Sequence, residues 1–218
     1  EDVIGTLGLD WVEPRQFTPD ELELVETIAN QASVAITKAK LFVAERDQRV
    51  LAEALGQVAS LSNRSLALDE LYDELLEAIE HVIAYDAGNI MLFEDNTAKI
   101  VRHTGYDIHA PDDRLGELRH TFEQSPHWSR MYGGDRPQAY VIDDTETDPD
   151  WMLLPEGRWI RSSVKAPISI EGRVIGLLNL DSATPHHFTP RDAERLQAFA
   201  DQAAIAIRNA QLYDAVQM

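Results

Sequence analysis

With 218 residues, 44% hydrophobic and 26% charged, the chain has the makeup of an ordinary globular protein and room for one or two domains. Its 38 acidic and 19 basic residues give a formal net charge of −19, which repels phosphate backbones and anionic lipid and so argues against nucleic acid and membrane contact. Cysteine is absent, which removes disulfides, thiolate zinc sites, cysteine nucleophiles and any thioether-linked chromophore. No apolar run is long enough to span a membrane and no basic-then-apolar leader opens the sequence, so a cytoplasmic setting is expected.

Residues 2–10 are apolar-rich and bounded by the turn-like stretch from Trp11 to Gln16, which predicts a strand. Thr18 offers a helix cap, Pro19 suits the first helical position, and Asp20 and Glu21 suit the positive end of the dipole. Neither proline nor glycine interrupts from Asp20 to Leu55, so one unusually long connector helix is expected over 18–62. Leu22, Val25, Ala29, Ala32, Ile36, Ala39 and Val43 recur at the 3-4 spacing of a coiled-coil seam. That stripe predicts a dimer through paired helices, although its first half equally suits cover for a sheet. Leu51, Leu55 and Val58 resume the seam after a phase slip, where no sheet is near in sequence to cover them.

Residues 63–65 break the pattern, and Leu68, Leu71, Leu75, Ile79 and Val82 then form the apolar face of a second helix. A strand from Asn89 to Glu94 and a return strand from Ala98 to Thr104 flank the turn at Asp95 and Asn96. Leu118 to Tyr132 reads as a short helix interrupted by Pro126 and ended by Gly133 and Gly134. Ala139 to Ile142 is a short strand, and residues 143–161 form a long acidic and aromatic loop. Ser163 to Ile170 and Arg173 to Asp181 make a hairpin around Glu171 and Gly172. Thr189, Pro190 and Asp192 start a terminal helix by the logic used at Thr18. This order describes an α+β domain built on an antiparallel sheet.

The chain also repeats itself. Sliding it by 171 positions lays residues 3–42 on 174–213 without a gap. From Ile4 onward, 18 of the 44 aligned positions are identical, including the Phe-Thr-Pro at 17–19 and 188–190. Such a long period marks domains rather than solenoid units. The expected organisation is the last strand and loop of a truncated preceding domain (1–17), the connector helix (18–62) and a complete second copy ending in an output helix (63–218). A segment cut from a longer protein is expected.

Ser163 to Ile168, the hairpin from Gly172 to Ser182, Phe188 to Pro190, Gln202 to Ile207 and Asn209 to Tyr213 together resemble a GAF domain over residues 66–213. GAF domains are sensory relatives of the PAS fold. The resemblance implies a profilin-like α+β architecture, with an antiparallel sheet of about six strands flanked by helices. It implies a ligand pocket between the sheet and the loops and short helices after the second strand. It further implies a tandem sensor of a bacterial two-component system, most typically a histidine kinase. Such a module is homodimeric through its terminal helices and is not itself catalytic.

By that resemblance the pocket is walled by Asn89, Met91, Phe93, His103, Trp128, Tyr140, Trp151 and Trp159. Aromatic walls with a few polar groups suit a small organic ligand, and the same rings also suit a core beneath a long loop. The cofactor stays unassigned. Cysteine-linked bilin is impossible here. Cyclic-nucleotide-binding members carry an Asn-Lys, Phe, Asp-Glu signature, of which Asn179, Phe188 and Asp192 are present. Leu180 and Ala193 stand where the lysine and glutamate belong, which disfavours a cyclic nucleotide. His103, His109, His120 and His127 lie where some members hold haem, but none forms a ligand pair at helical spacing, which disfavours haem. The run Asp143, Asp144, Glu146, Asp148 and Asp150 lacks the mid-loop glycine and final glutamate of a calcium loop, so a solvated loop is expected rather than a metal site. No nucleophile elbow or phosphate-binding glycine loop appears. The family's methionine sulfoxide reductases work through cysteines that this chain lacks.

Overall fold

The computed structural model describes residues 3–61, 68–94, 97–108, 119–121, 137–152 and 157–217. Two compact units divide the chain between Arg49 and Val50.

The first unit holds a segment without regular structure, residues 3–18, and most of helix α1 (Pro19–Leu61). The strand expected at 2–10 is not formed among the described residues. A strand stands only where a neighbour satisfies its backbone ladder, and Val3, Ile4, Leu7 and Leu9 remain exposed. What order the segment has is local. The Arg15 guanidinium lies 4.4 Å from the centre of the Trp11 ring and 5.1 Å from that of Phe17, and it pairs with Glu21. Helix α1 then starts with a reciprocal capping box. The Thr18 amide donates to Glu21 Oε2 at 2.9 Å, and the Glu21 amide donates to Thr18 Oγ1 at 3.3 Å. The helix runs for 43 residues. Each seam residue from Leu22 to Val43 keeps accessible surface, and so do Leu24, Ile28, Leu41 and Phe42 beside the seam. The apolar face is therefore wider than a narrow two-stranded seam.

The second unit begins inside α1. Ala54 and Val58 are buried in the domain core, with Leu51 and Leu55 packed against it. This corrects the expectation that the later part of α1 has no cover of its own. The same cluster holds residues of α2, of the sheet and of the terminal helix, so the absence of a nearby strand in the sequence was a poor guide. Helix α2 (Leu68–Glu80) and strands β1 (Ala87–Glu94), β2 (Thr97–Thr104), β3 (Arg119–Thr121), β4 (Tyr140–Ile142), β5 (Ser162–Ile170) and β6 (Arg173–Ser182) follow, and helix α3 (Pro190–Gln217) closes the chain. The strands form one six-stranded sheet in the order β3-β2-β1-β6-β5-β4, and every pairing is antiparallel. Arg119–Thr121 is thus a sheet-edge strand on β2, where a helix was expected. The rest of that expected helix, with Gly133 and Gly134, lies outside the described residues.

Strand alternation decides which face each side chain meets. Ile90, Val164, Ala166, Ile168, Leu178 and Leu180 point toward α2, α3 and the end of α1. There they pack with Leu75, Ile79, Leu196, Phe199 and Ile207, all fully buried. Arg102 ties α2 to β2 by reaching Asp73 at 3.0 Å and the Asp69 carbonyl at 3.0 Å. Helix α3 repeats the cap of α1, with the Thr189 amide donating to Asp192 Oδ2 at 2.9 Å and the Asp192 amide donating to Thr189 Oγ1 at 3.4 Å. The tight β5–β6 hairpin turns on Glu171 (φ 51°) and Gly172 (φ 80°). Both are left-handed, as a two-residue turn matched to strand twist requires.

Candidate functional site

The opposite face of the sheet is built differently. Ser163 and Lys165 alternate with the core residues of β5, and Asn179 and Asp181 alternate with Leu178 and Leu180 of β6. Asn89 of β1 lies opposite Asn179. Central strands therefore carry polar side chains into a covered face, where each must find a partner.

Those partners form a directed chain. Lys165 Nζ donates to Asn179 Oδ1 at 3.3 Å, and Asn179 Nδ2 donates to Asn89 Oδ1 at 2.8 Å. Asn89 Nδ2 donates to the Tyr106 hydroxyl at 2.6 Å, and that hydroxyl donates to Asp181 Oδ2. The chain starts on an ammonium and ends on a carboxylate. It leaves β5, crosses β6 and β1 to the turn after β2, and returns to β6 two residues from its second member. Asp181 Oδ1 and Ser163 Oγ are buried and accept or donate nothing among the described residues. Burial, and then the adjacent Asp181 charge, hold the Tyr106 hydroxyl well above its ordinary pKa. Burial pushes the Lys165 ammonium below its ordinary value, with the Asp181 charge opposing that shift. Lys165 makes no ion pair within 4 Å among the described residues. Its other partner is the Trp151 ring, 5.4 Å from Nζ.

Aromatic groups surround this chain. The Tyr106 ring meets His103 and Trp159 edge-to-face at 6.0 Å and 5.9 Å. Trp151, Trp159 and Met91 pack on Ala87, Ile100, Tyr106 and Ile160. Met91, Phe93 and Tyr140 pack on Val174 and Leu177. The described parts of the loop, residues 143–152 and 157–161, are pinned to each other. Arg161 reaches both oxygens of Asp144 at 3.1 Å, the Thr145 hydroxyl donates to the Ile160 carbonyl at 2.6 Å, and the Thr145 amide donates to the Arg161 carbonyl. The Glu146 amide, followed by Arg161, holds the Asp144 carboxyl below its usual range. Asp148 likewise accepts from the Asp150 amide at 2.9 Å. Part of the acidic run is therefore occupied in shaping the loop.

Seven of the eight predicted wall residues fall on this face or the loop against it, and Trp128 lies outside the described residues. Five are small-cluster packing (Met91, Phe93, Tyr140, Trp151 and Trp159), His103 stacks on Tyr106, and Asn89 belongs to the polar chain. Sequence reasoning missed Tyr106, Lys165, Asp181 and Ser163, and it weighed Asn179 only as part of a cyclic-nucleotide signature. The available signal was the polar half of the alternation on β5 and β6. A separate open groove of about 530 Å3 lies between β4 and the start of α3. Its Gln197 amide accepts from the Ala139 amide and donates to the Pro167 carbonyl, and of the predicted wall only Tyr140 is among the groove's lining residues.

The GAF domain model matches residues 65–208, more than half of the chain, and a second GAF domain model matches residues 1–36. Among curated relatives, the anaerobic nitric oxide reductase transcription regulator NorR of Salmonella paratyphi B is 26% identical over 164 residues. That match covers 74% of this chain and 31% of the regulator, so the chain spans about a third of the length of such relatives. Among solved structures, residues 122 to 287 of a methyl-accepting chemotaxis protein are 25% identical with a TM-score of 0.59, covering 73% of this chain and 99% of that one. The GAF domain of a phosphoenolpyruvate-protein phosphotransferase from Coxiella burnetii has a TM-score of 0.62 at 17% identity, covering 76% and 96%. That last likeness concerns the fold alone.

Proposed function

The chain belongs to the GAF domain family, and from that premise we propose that it is a regulatory sensory module of a bacterial signal-transduction protein. It binds a small cytosolic ligand on the polar face of the sheet and relays occupancy through α1 and α3 in a homodimer. The observation that carries the reading is the Lys165–Asn179–Asn89–Tyr106–Asp181 chain. A face needed only for stability would bury apolar groups there, since buried ionic groups seldom repay their desolvation. The module is not itself an enzyme. An output domain, with a histidine kinase as the first expectation and a transcription regulator or chemotaxis protein as in its relatives, lies outside this chain. The segment at 3–10 and α1 belong, on this reading, to a preceding domain of the same kind and the cable from it.

A metabolite panel tested by thermal shift checks the ligand half. At least one small molecule raises the melting temperature of the wild type and leaves Lys165→Met unmoved. Silence across the panel sinks it. Light scattering checks the relay half. The wild type runs as a dimer and the double variant Ala32→Glu, Ile36→Glu as a monomer, and a monomeric wild type at high concentration removes the seam. A second reading, a ligand-free dimerisation and relay module, is favoured by the wide accessible apolar face of α1. Dimerisation together with a silent panel selects it.

A further inference from the structure

Helix α3 carries apolar residues on two sides, and the sheet takes only one of them. Leu196, Phe199, Ala203 and Ile207 are fully buried in the domain core. On the opposite side Ile205 and Leu212 stand 50% and 56% exposed, with Ala198 half-buried seven residues before Ile205. Seven residues fall about 20° short of two full turns, so the three form one line along the helix. Asp201 and Arg208 border the line on one side, Gln202 and Asn209 on the other. The repeat carries the same line twice, because Val34 and Leu41 of α1 fall on Ile205 and Leu212.

The line and its borders are complementary to themselves when reversed. Ala198 with Leu212, Asp201 with Arg208, and Gln202 with Asn209 are each centred within half a residue of Ile205. We propose that α3 lies antiparallel on α3 of a second copy, with the two-fold axis at Ile205. Each contact across such an axis is made twice. Ala198 then receives the partner's Leu212, small against large, and Asp201 meets the partner's Arg208, opposite in charge. Arg208 already reaches Glu171 at 2.8 Å, and its guanidinium keeps donors for a second carboxylate. Gln202 and Asn209 face each other as carboxamides that both donate and accept. A parallel pairing sets Ala198 on Ala198 and Leu212 on Leu212, uneven along the line. It also leaves Asp201 without an opposite charge, because the facing position is Ala206, buried in its own domain. This contact rests on the homodimer reading and deepens it, giving α3 a partner surface apart from the α1 seam. Three apolar residues a side make a small contact, so trapping reads it better than light scattering.

Disulfide trapping in the whole chain tests this, since no native cysteine competes with an introduced one. Ala198→Cys and Leu212→Cys are oxidised separately and as an equal mixture, and the products are weighed intact. The mixture gives a linked species holding one chain of each variant, formed at least tenfold faster than either variant links to itself. Like positions in the antiparallel pair lie roughly 21 Å apart along the axis, beyond the reach of a disulfide. Ile205→Cys, at the axis, links to itself and keeps the test open if Ala198→Cys does not fold. Asp201→Arg built into both cysteine variants slows linking at least tenfold, and adding Arg208→Asp restores it. Self-linking of Ala198→Cys or Leu212→Cys as fast as the mixture overturns the proposal, as does slowing that the charge swap does not restore. No link in the mixture or at Ile205→Cys overturns it too. If the wild type is then still a dimer that Ala32→Glu, Ile36→Glu dissociates, the homodimer reading stands without this contact. If the wild type is a monomer as well, both fall.

Discussion

Residues 3–42 and 174–213 carry nearly the same message and meet different fates. In the second copy, Val174 to Asp181 lies within a central strand paired on both edges, and Leu180 and Phe188 are 0% and 3% exposed. In the first copy, Val3 to Asp10 has no regular structure, and Leu9 and Phe17 are 48% and 37% exposed. The helices behave oppositely. Both begin at a Thr-Pro step with the same reciprocal cap. A helix closes its hydrogen bonds within itself and needs only its ends served, whereas a strand is defined by its neighbours. The pair separates what local chemistry can build from what a sheet must supply.

Four matched substitutions test that separation. The largest effect is expected at the shared glycine. A Cβ on Gly176 would lie 2.3 Å from the Met91 carbonyl oxygen, while one on Gly5 would meet nothing within 4 Å. Gly176→Ala should destabilise by about 4 kcal/mol or prevent folding, and Gly5→Ala should stay within about 0.5 kcal/mol in denaturant titration. Next is the shared leucine. Leu180→Ala should cost about 3 kcal/mol through a core cavity, and Leu9→Ala almost nothing. A comparable loss at Leu9 would mean that the first copy has a sheet partner in solution. Third come the caps. Thr189→Ala should lower domain stability by about 1 kcal/mol. Thr18→Ala should show instead as faster amide exchange in the first turn of α1 without moving the melting temperature.

The smallest effect concerns the shared aspartate and appears only as a pH dependence. Lys165 titrates below 10.5 in the fold, so the unfolded chain binds more protons between that lowered value and 10.5. Stability contributed there rises with pH. Asp181→Asn removes the attraction that opposes the shift, lowers the Lys165 value further and starts the rise at a lower pH. Asp10→Asn, on the exposed copy, should leave melting temperatures measured across that range unchanged. A profile insensitive to Asp181→Asn would mean that Lys165 and Asp181 do not share one field.

Most of the fold was legible in the residues because its signals are local. Thr18, Thr189 and the prolines after them mark helix starts, the apolar repeat from Leu68 to Ile79 marks α2, and Glu171-Gly172 marks a hairpin. The candidate wall was half legible. Its aromatic members stood out by type, and those within the described residues do gather on one face. The polar chain did not stand out, because its bonds join residues 17, 75 and 90 positions apart. The end of α1 was misread as well. Its later turns looked uncovered, yet Ala54 and Val58 are core.

By itself, then, the sequence determined most of the elements and the helix caps, which follow from bonds made within a few residues, and it carried the repeat that marks two related copies. Only the tertiary structure decided that one copy of the strand stands and the other does not, and that Lys165 and Asp181 belong to one chain of hydrogen bonds on the same face of the sheet. Both depend on sheet register. Register places side chains from distant stretches side by side and is invisible to any local pattern.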